Sequence, residues 1–369
     1  MSAAIHLRQA GFGGSIGLLG EEAELPYERP PLSKEYLAGT KGREELRFRP
    51  AGFWAEKNVT LIPGERVEEV NAASREVGCA SGRSFAYGEL IWCAGARARR
   101  LPGAHAIRTL DDVDRLKEAL ATAKRVLVIG GGWIGLEAAA ALSKLGTQVV
   151  LAEREQRLLA RCSGHALSDH LKAEHERHGV EVRLGEPAPD ATGFDLVVAG
   201  IGIEPEAAPL LEARAEGGDG VLVDELGRTS LPHVWAAGDV ALHRNLFGPD
   251  RPIRIESVQH ATDQAATVAR AIAGAPKPYS AMPWFWSNQY DLKLQTVGLS
   301  HDHDEELVRG DPASGRFSIL YRRKGKVIAL DCVNMVRDYV QGRLLIERGS
   351  VVDAALLTDP DLPLKSLVE

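Results

Sequence analysis

Short apolar runs, separated by helix-length stretches, fill the first two thirds of the chain. IGLLG (16–20), ELIWCAG (89–95), RVLVIGG (125–131), QVVLAE (148–153), FDLVVAGIG (194–202) and HVWAAGD (233–239) each read as a buried strand. Such runs alternating with helices predict parallel, doubly wound sheets. DDVDRLKEAL (111–120) reads as a helix whose acidic first turn suits the helix dipole. The texture changes after Pro276 and Pro278. TVGLS, ELVRG and FSILYRRKGKVIALDCV alternate as strands, with Lys324-Gly325 as a hairpin turn. The pattern therefore predicts an α/β protein with two Rossmann-like, doubly wound nucleotide-binding domains and a C-terminal α+β domain.

Part of the pattern occurs twice. AAIHLRQAGFGGSIGLLGEE (3–22) matches AAAALSKLGTQVVLAERE (138–155): a small-residue helix, a turn closed by glycine, an apolar strand and a terminal carboxylate. Only the second copy is preceded by a strand and by Gly130, Gly132 and Gly135 in G-x-G-x-x-G spacing. Gly130 permits a tight turn, Gly132 lets the backbone approach a pyrophosphate, and Gly135 allows close helix–strand packing. The start of the following helix then faces the phosphates with exposed N–H groups and partial positive charge. Glu153, at the end of the second strand, is placed to accept from a ribose diol, which favours NADH over NADPH; the adjacent Arg154 weakens that preference. The first copy opens without its strand and fingerprint, which leaves open whether Met1 is the true start; loss of that strand would expose neighbouring sheet edges.

Composition narrows the classes. The chain has 369 residues and a formal net charge of −7, which argues mildly against nucleic-acid binding. No apolar run approaches the roughly 18 residues of a membrane span, and no secretory signal opens the chain. Cys79, Cys93, Cys162 and Cys332 never come into C-x-x-C spacing, so neither a redox dithiol nor a zinc site is expected, and a reducing cytoplasm fits. HDHDEE (301–306) has metal-ligand residue types, but alternating His and Asp in a strand-edge loop reads first as a solvated segment. The arginines of GARARRLP (95–102) and RRKGK (322–326) read equally as a patch for an acidic partner or as ordinary solvated charge.

PYERPPLSKEYLAG (26–39), GGGWIGLE (130–137), VWAAGDVA (234–241), RIESVQHA (254–261) and PWFWSNQYDLKLQTVGLS (283–300) together resemble the NADH-oxidising, FAD-containing ferredoxin reductases of bacterial oxygenase systems. The resemblance implies a glutathione-reductase-like fold, with FAD held by residues 1–107 and 225–275, NAD by 108–224, and a C-terminal reductase domain over 276–369. It implies that Glu21, Arg29, Lys34, Val67, Arg108, Asp239 and Val258 contact FAD, with Lys34 near the reactive N5 edge and Glu137 as its ion-pair partner. Ser257 is expected to cap the helix whose start faces the negatively charged ring end. Gly130, Gly132, Trp133, Ile134, Gly135, Glu137, Glu153, Arg161, Gly200 and Gly202 would line the NADH site. Trp133 reads equally as a gate to the nicotinamide pocket and as a core tryptophan. Trp286 would lie beside the isoalloxazine on the side facing a [2Fe–2S] ferredoxin; Trp284 and Trp286 also read as interface core. Two other functions remain open here: an NADH-binding protein poor in flavin and without reductase activity, and a flavin NADH oxidase or rubredoxin reductase. The short connection EPAPDATG (186–193) implies a reduced hairpin on the NAD domain.

Overall fold

A computed structural model describes residues 1–187 and 189–368; Ala188, within the 186–193 connection, and the terminal Glu369 lie outside the described residues. The chain divides into two compact units, each assembled from three segments.

The first unit comprises Met1–Glu28, Leu46–Arg97 and Glu204–Pro283. The small-residue helix Ser2–Gln9 buries Ala3, Ala4 and Leu7 and packs against the helix Val258–Ile272. Strand Ile16–Gly20 pairs in parallel with Val59–Pro63, and Leu90–Trp92 pairs in parallel with Val234–Ala236. A meander of Val67–Asn71, Glu76–Cys79 and Ser84–Ala86 was not evident from the sequence, because its exposed faces carry polar residues that dilute the apolar alternation. Trp92, Val221, Val234, Ala236 and Val240 form a buried core in this unit, and half-buried Val67 packs against it. Ser257 caps the long helix as expected, its hydroxyl accepting from the His260 N–H at 3.1 Å.

The second unit comprises Arg29–Glu45, Ala98–Ile203 and Trp284–Glu369. Its nucleotide-binding sheet runs Glu181–Leu184, Gln148–Glu153, Arg125–Ile129, Leu196–Ala199, His105–Ala106, all parallel. RVLVI is apolar on both faces because both are covered: Val126, Leu127 and Val128 are fully buried, with Leu127 packed against Val150, Ala152, Phe194 and Val197. The helix Leu110–Leu120 starts one residue earlier than the pattern suggested. A capping box sets the boundary: the Thr109 side chain accepts from the Asp112 N–H, and the Asp112 carboxylate accepts from the Thr109 N–H.

The C-terminal part of this unit is an antiparallel sheet in the order Trp284–Gln289, Leu292–Gly298, Lys326–Val333, Arg316–Arg323, Glu305–Asp311, with helix Val336–Arg348 packed on it. Lys324-Gly325 makes the tight turn, both residues having positive φ. The aromatic segment WFWSNQ is an edge strand. Among the described residues no helix is long and apolar enough to cross a membrane.

Candidate functional site

Two glycines of the fingerprint, Gly130 and Gly135, are required by close backbone contacts in the second unit. Gly130 turns at φ +106°, and a Cβ there would lie 2.5 Å from the Gly200 carbonyl oxygen. At Gly135 a Cβ would lie only 1.9 Å from the Gly130 carbonyl oxygen, so the helix Trp133–Lys144 starts in direct contact with the turn before it. At Gly132 the nearest heavy atom is 4.0 Å away, so this position faces open space. As the N-cap, Gly132 has no side chain to cover the helix start. Gly131, not singled out in the sequence, also has no room: a Cβ there would lie 2.6 Å from Leu158 Cδ2. The run of three glycines in GGGW was the signal.

Glu153 closes this loop. Its carboxylate accepts from the Gly131 N–H at 2.5 Å and from the Glu155 N–H at 2.9 Å. Arg154 pairs with Glu155 at 2.9 Å. Gly202 turns at φ +99°, and a Cβ there would lie 3.6 Å from Arg161 Nη2, so Arg161 and Gly202 are neighbours. An uncovered helix start, a bed open only at Gly132 and a fixed carboxylate fit the phosphates and ribose of a dinucleotide.

The same helix carries Glu137, buried at 3 % exposure. Lys34 donates to its Oε2 at 2.7 Å and Ser33 to the same oxygen at 2.5 Å, while Ser287 donates to Oε1 at 2.7 Å. The Lys34–Glu137 pair expected from the resemblance is therefore formed. Ser33 and Ser287 are additional partners that sequence reasoning missed, since hydroxyls carry no motif of their own. Lys34 follows the short 3₁₀ turn Pro30–Ser33, which the two prolines of ERPPLSK enforce. Arg29 Nη1 donates to the Arg108 carbonyl at 2.5 Å and thereby joins those two candidates. Trp133 and Phe285 rings lie 5.1 Å apart, Phe285 and Trp286 6.3 Å, and Trp284 and Trp286 5.5 Å, forming one aromatic row. Trp133 is half-buried and Ile134 is exposed.

The other FAD candidates belong to the first unit. Arg66 Nη1 donates to both carboxylate oxygens of Glu21 at 3.0 Å. The turn bearing Asp239 rests on the helix Val258–Ile272: Gly238 donates its N–H to Gln264 at 2.8 Å, and a Cβ at Gly238 would lie 3.3 Å from that of Ala261. Arg254 Nη1 donates to the Asp239 carbonyl at 3.0 Å. Val258, first in the helix, is exposed. A helix start beside a carboxylate-bearing turn suits an anionic ring end and a polyhydroxyl chain.

The remaining charged candidates are engaged in local structure. Arg97 pairs with Glu204 and Glu206, Arg100 with Asp112, and Arg322 with Glu305. In HDHDEE, Asp304 accepts from the Lys324 N–H, and Glu306 accepts from the His165 and Ala166 N–H groups at a helix start. All four cysteines are free, and burial pushes the Cys79 and Cys332 thiols up.

Fold and site together define a flavin- and pyridine-nucleotide-dependent oxidoreductase built on paired dinucleotide-binding domains. Residues 1–265 match the family described as pyridine nucleotide-disulphide oxidoreductase, and residues 284–368 the family described as reductase C-terminal. The chain is 52 % identical to the ferredoxin reductase subunit of 5,5'-dehydrodivanillate O-demethylase from a Sphingobium species, over 99 % of this chain and 95 % of the relative. It is 49 % identical to a ferredoxin–NAD(P)+ reductase of a Sphingomonas species, over 99 % and 94 %. Among solved structures, putidaredoxin reductase in covalent complex with putidaredoxin superimposes with a TM-score of 0.93 at 33 % identity, covering 99 % of this chain and 94 % of that one. The chain belongs to the ferredoxin reductases of the pyridine nucleotide-disulphide oxidoreductase family.

Proposed function

We propose that this protein passes electrons from NADH, by way of bound FAD, to a [2Fe–2S] ferredoxin serving an oxygenase, and that it works in the cytoplasm, where NADH is supplied. Segments 1–107 and 225–275 hold FAD, 108–224 hold NADH, and 276–369 complete the reductase. The supporting likeness is to relatives named as ferredoxin reductase components of O-demethylase and dioxygenase systems. When bound, FAD accepts a hydride and releases its electrons singly, which matches a two-electron donor to a one-electron acceptor.

The observation that carries the reading is the position of Glu137. It lies two residues after Gly135, on the helix whose start forms the dinucleotide bed, and it holds Lys34 at 2.7 Å. A buried carboxylate that also accepts from Ser33 and Ser287 fixes the Lys34 ammonium in place. Lys34 serves as the positive group beside the flavin. Gly130, Gly132, Trp133, Ile134 and Gly135 seat the NADH pyrophosphate and ribose. Glu153 accepts from the adenosine ribose and repels a 2′-phosphate. Arg161, Gly200 and Gly202 border the nucleotide. Glu21, Arg29, Val67, Arg108, Asp239 and Val258 are the residues assigned to FAD. Trp286, within the aromatic row, faces the electron acceptor.

Anaerobic titration of the yellow protein tests this reading. NADH should bleach the flavin stoichiometrically and NADPH far more slowly, and a [2Fe–2S] ferredoxin should be required for reduction of cytochrome c. A colourless protein that binds NADH, or equal turnover with oxygen or rubredoxin in place of ferredoxin, would refute it.

A further inference from the structure

Behind Glu137 a row of buried side chains continues through the second unit to Tyr290. Ser287, Gln289 and His175 are 1 %, 3 % and 0 % exposed. Ser287 Oγ lies 2.7 Å from Glu137 Oε1, Gln289 Nε2 3.1 Å from Ser287 Oγ, His175 Nε2 2.9 Å from Gln289 Oε1, and Tyr290 Oη 3.1 Å from His175 Nδ1. The carboxylate at one end decides where every proton sits. Glu137 can only accept, so the Ser287 hydroxyl donates to it. Ser287 Oγ must then accept from the Gln289 amide. That leaves Gln289 Oε1 facing His175, which has to supply an N–H from Nε2. The His175 Nδ1 lone pair accepts in turn from the Tyr290 hydroxyl. Burial lowers the pKa of His175, which keeps the ring neutral and the Nδ1 lone pair available.

We propose that Tyr290, His175, Gln289 and Ser287 form a one-way hydrogen-bond chain whose direction is set by Glu137, and that Gln289 and His175 are positioning residues for the Glu137–Lys34 pair. Each donor in such a chain polarises the next, so the bonds strengthen toward the carboxylate. The elements joined are the fingerprint helix, the helix His165–Arg177 and the edge strand Trp284–Gln289. Tyr290 anchors the far end, stacked on His178 with ring centroids 3.7 Å apart. The chain aims one Glu137 oxygen at Ser287 and leaves the other for Lys34 and Ser33. Its effect on hydride transfer rests on the role given to Lys34 above; its direction does not.

The sharpest test is the tautomer of His175, read by nitrogen NMR of the histidine-labelled holoenzyme and assigned with a His175→Phe variant. The wild-type ring should be neutral and protonated on Nε2. In Glu137→Gln, Lys34 and Ser33 require the amide oxygen, so the amide nitrogen donates to Ser287, every bond reverses, and His175 moves its proton to Nδ1. The same tautomer in both proteins, or a cationic ring at neutral pH, would overturn the proposal. In a second arm, Gln289→Leu should slow NADH-driven flavin reduction about five- to thirty-fold at unchanged NADH KM, as expected for loss of one buried hydrogen bond. In the Glu137→Gln background it should slow it less than about two-fold. Equal losses in both backgrounds, or a loss confined to KM, would overturn the positioning role. If Lys34→Met and Glu137→Gln both leave flavin reduction unchanged, the role given to Lys34 fails instead, and the tautomer still decides the direction of the chain.

Discussion

Replacing Gly135 by alanine would put a methyl carbon 1.9 Å from the Gly130 carbonyl oxygen, whereas real Cβ contacts essentially never fall below 3.0 Å. The start of the fingerprint helix must therefore retreat from the turn by at least about 1.1 Å, the gap between those two distances. Forcing a methyl into a packed contact costs about 1–3 kcal/mol, of which the better helix propensity of alanine returns up to about 1 kcal/mol. The melting temperature should thus fall by only a few degrees. The larger effect is on NADH, because a shift of that size breaks hydrogen bonds from the helix start to the pyrophosphate. A hydrogen bond to a charged group contributes about 1.5–3 kcal/mol, so the loss of one raises KM roughly 10- to 150-fold. Gly132→Ala is the control. Its Cβ would meet nothing nearer than 4.0 Å, so stability should change little while the methyl obstructs the ligand directly, again raising KM at least about ten-fold. Stopped-flow flavin reduction across NADH concentrations, together with thermal unfolding, separates the two cases. An unchanged KM in Gly132→Ala would show that this backbone is not the pyrophosphate bed. An unchanged melting temperature and KM in Gly135→Ala would refute the packing argument.

Three further outcomes follow from the same contacts. Lys34→Met strands a carboxylate that is 3 % exposed and should cost about 3 kcal/mol in chemical denaturation; adding Glu137→Gln should restore most of that loss. Glu153→Gln removes the charge that repels a 2′-phosphate, so the NADPH-to-NADH ratio of kcat/KM should rise about ten-fold or more, measured as a ratio to cancel changes in the loop. Burial raises the Asp331 carboxyl to about 6, although Ser163 and Tyr321 each donate to it at 2.7 Å. Because its folded pKa lies above the unfolded value, the native state binds this proton more tightly, and stability falls as pH rises from about 4 to about 6. Asp331→Asn should remove that fall, stabilising the protein above pH 6 by up to about 3 kcal/mol and giving no gain below pH 4, as unfolding midpoints across pH would show.

Much of the fold and part of the site were legible in the chain because they depend on local order. A strand, three spaced glycines, an apolar helix and a carboxylate some 20 residues on define a nucleotide-binding unit wherever they occur. The capping box at Thr109 and the turn at Lys324-Gly325 are equally local. The polar meander of Val67–Ala86 stayed hidden because short strands exposed on one face carry a weak alternating signal. Ser33, Ser287, Gln289 and His175 stayed hidden for a different reason. Their types are common, and the separations of 104 residues from Ser33 to Glu137 and 150 from Glu137 to Ser287 leave no pattern to read.

By itself, then, the sequence determined the architecture, the position of the dinucleotide fingerprint, and, through its resemblance, the family and the Lys34–Glu137 partnership. Only the tertiary structure decided which glycines have no room for a methyl, how Glu153 is held, and which groups surround Glu137. Backbone propensity and spacing act within a few residues and so leave a trace along the chain. A buried carboxylate is satisfied by whichever donors the packed fold brings within about 3 Å, and that proximity exists only once the helices and the C-terminal sheet have come together.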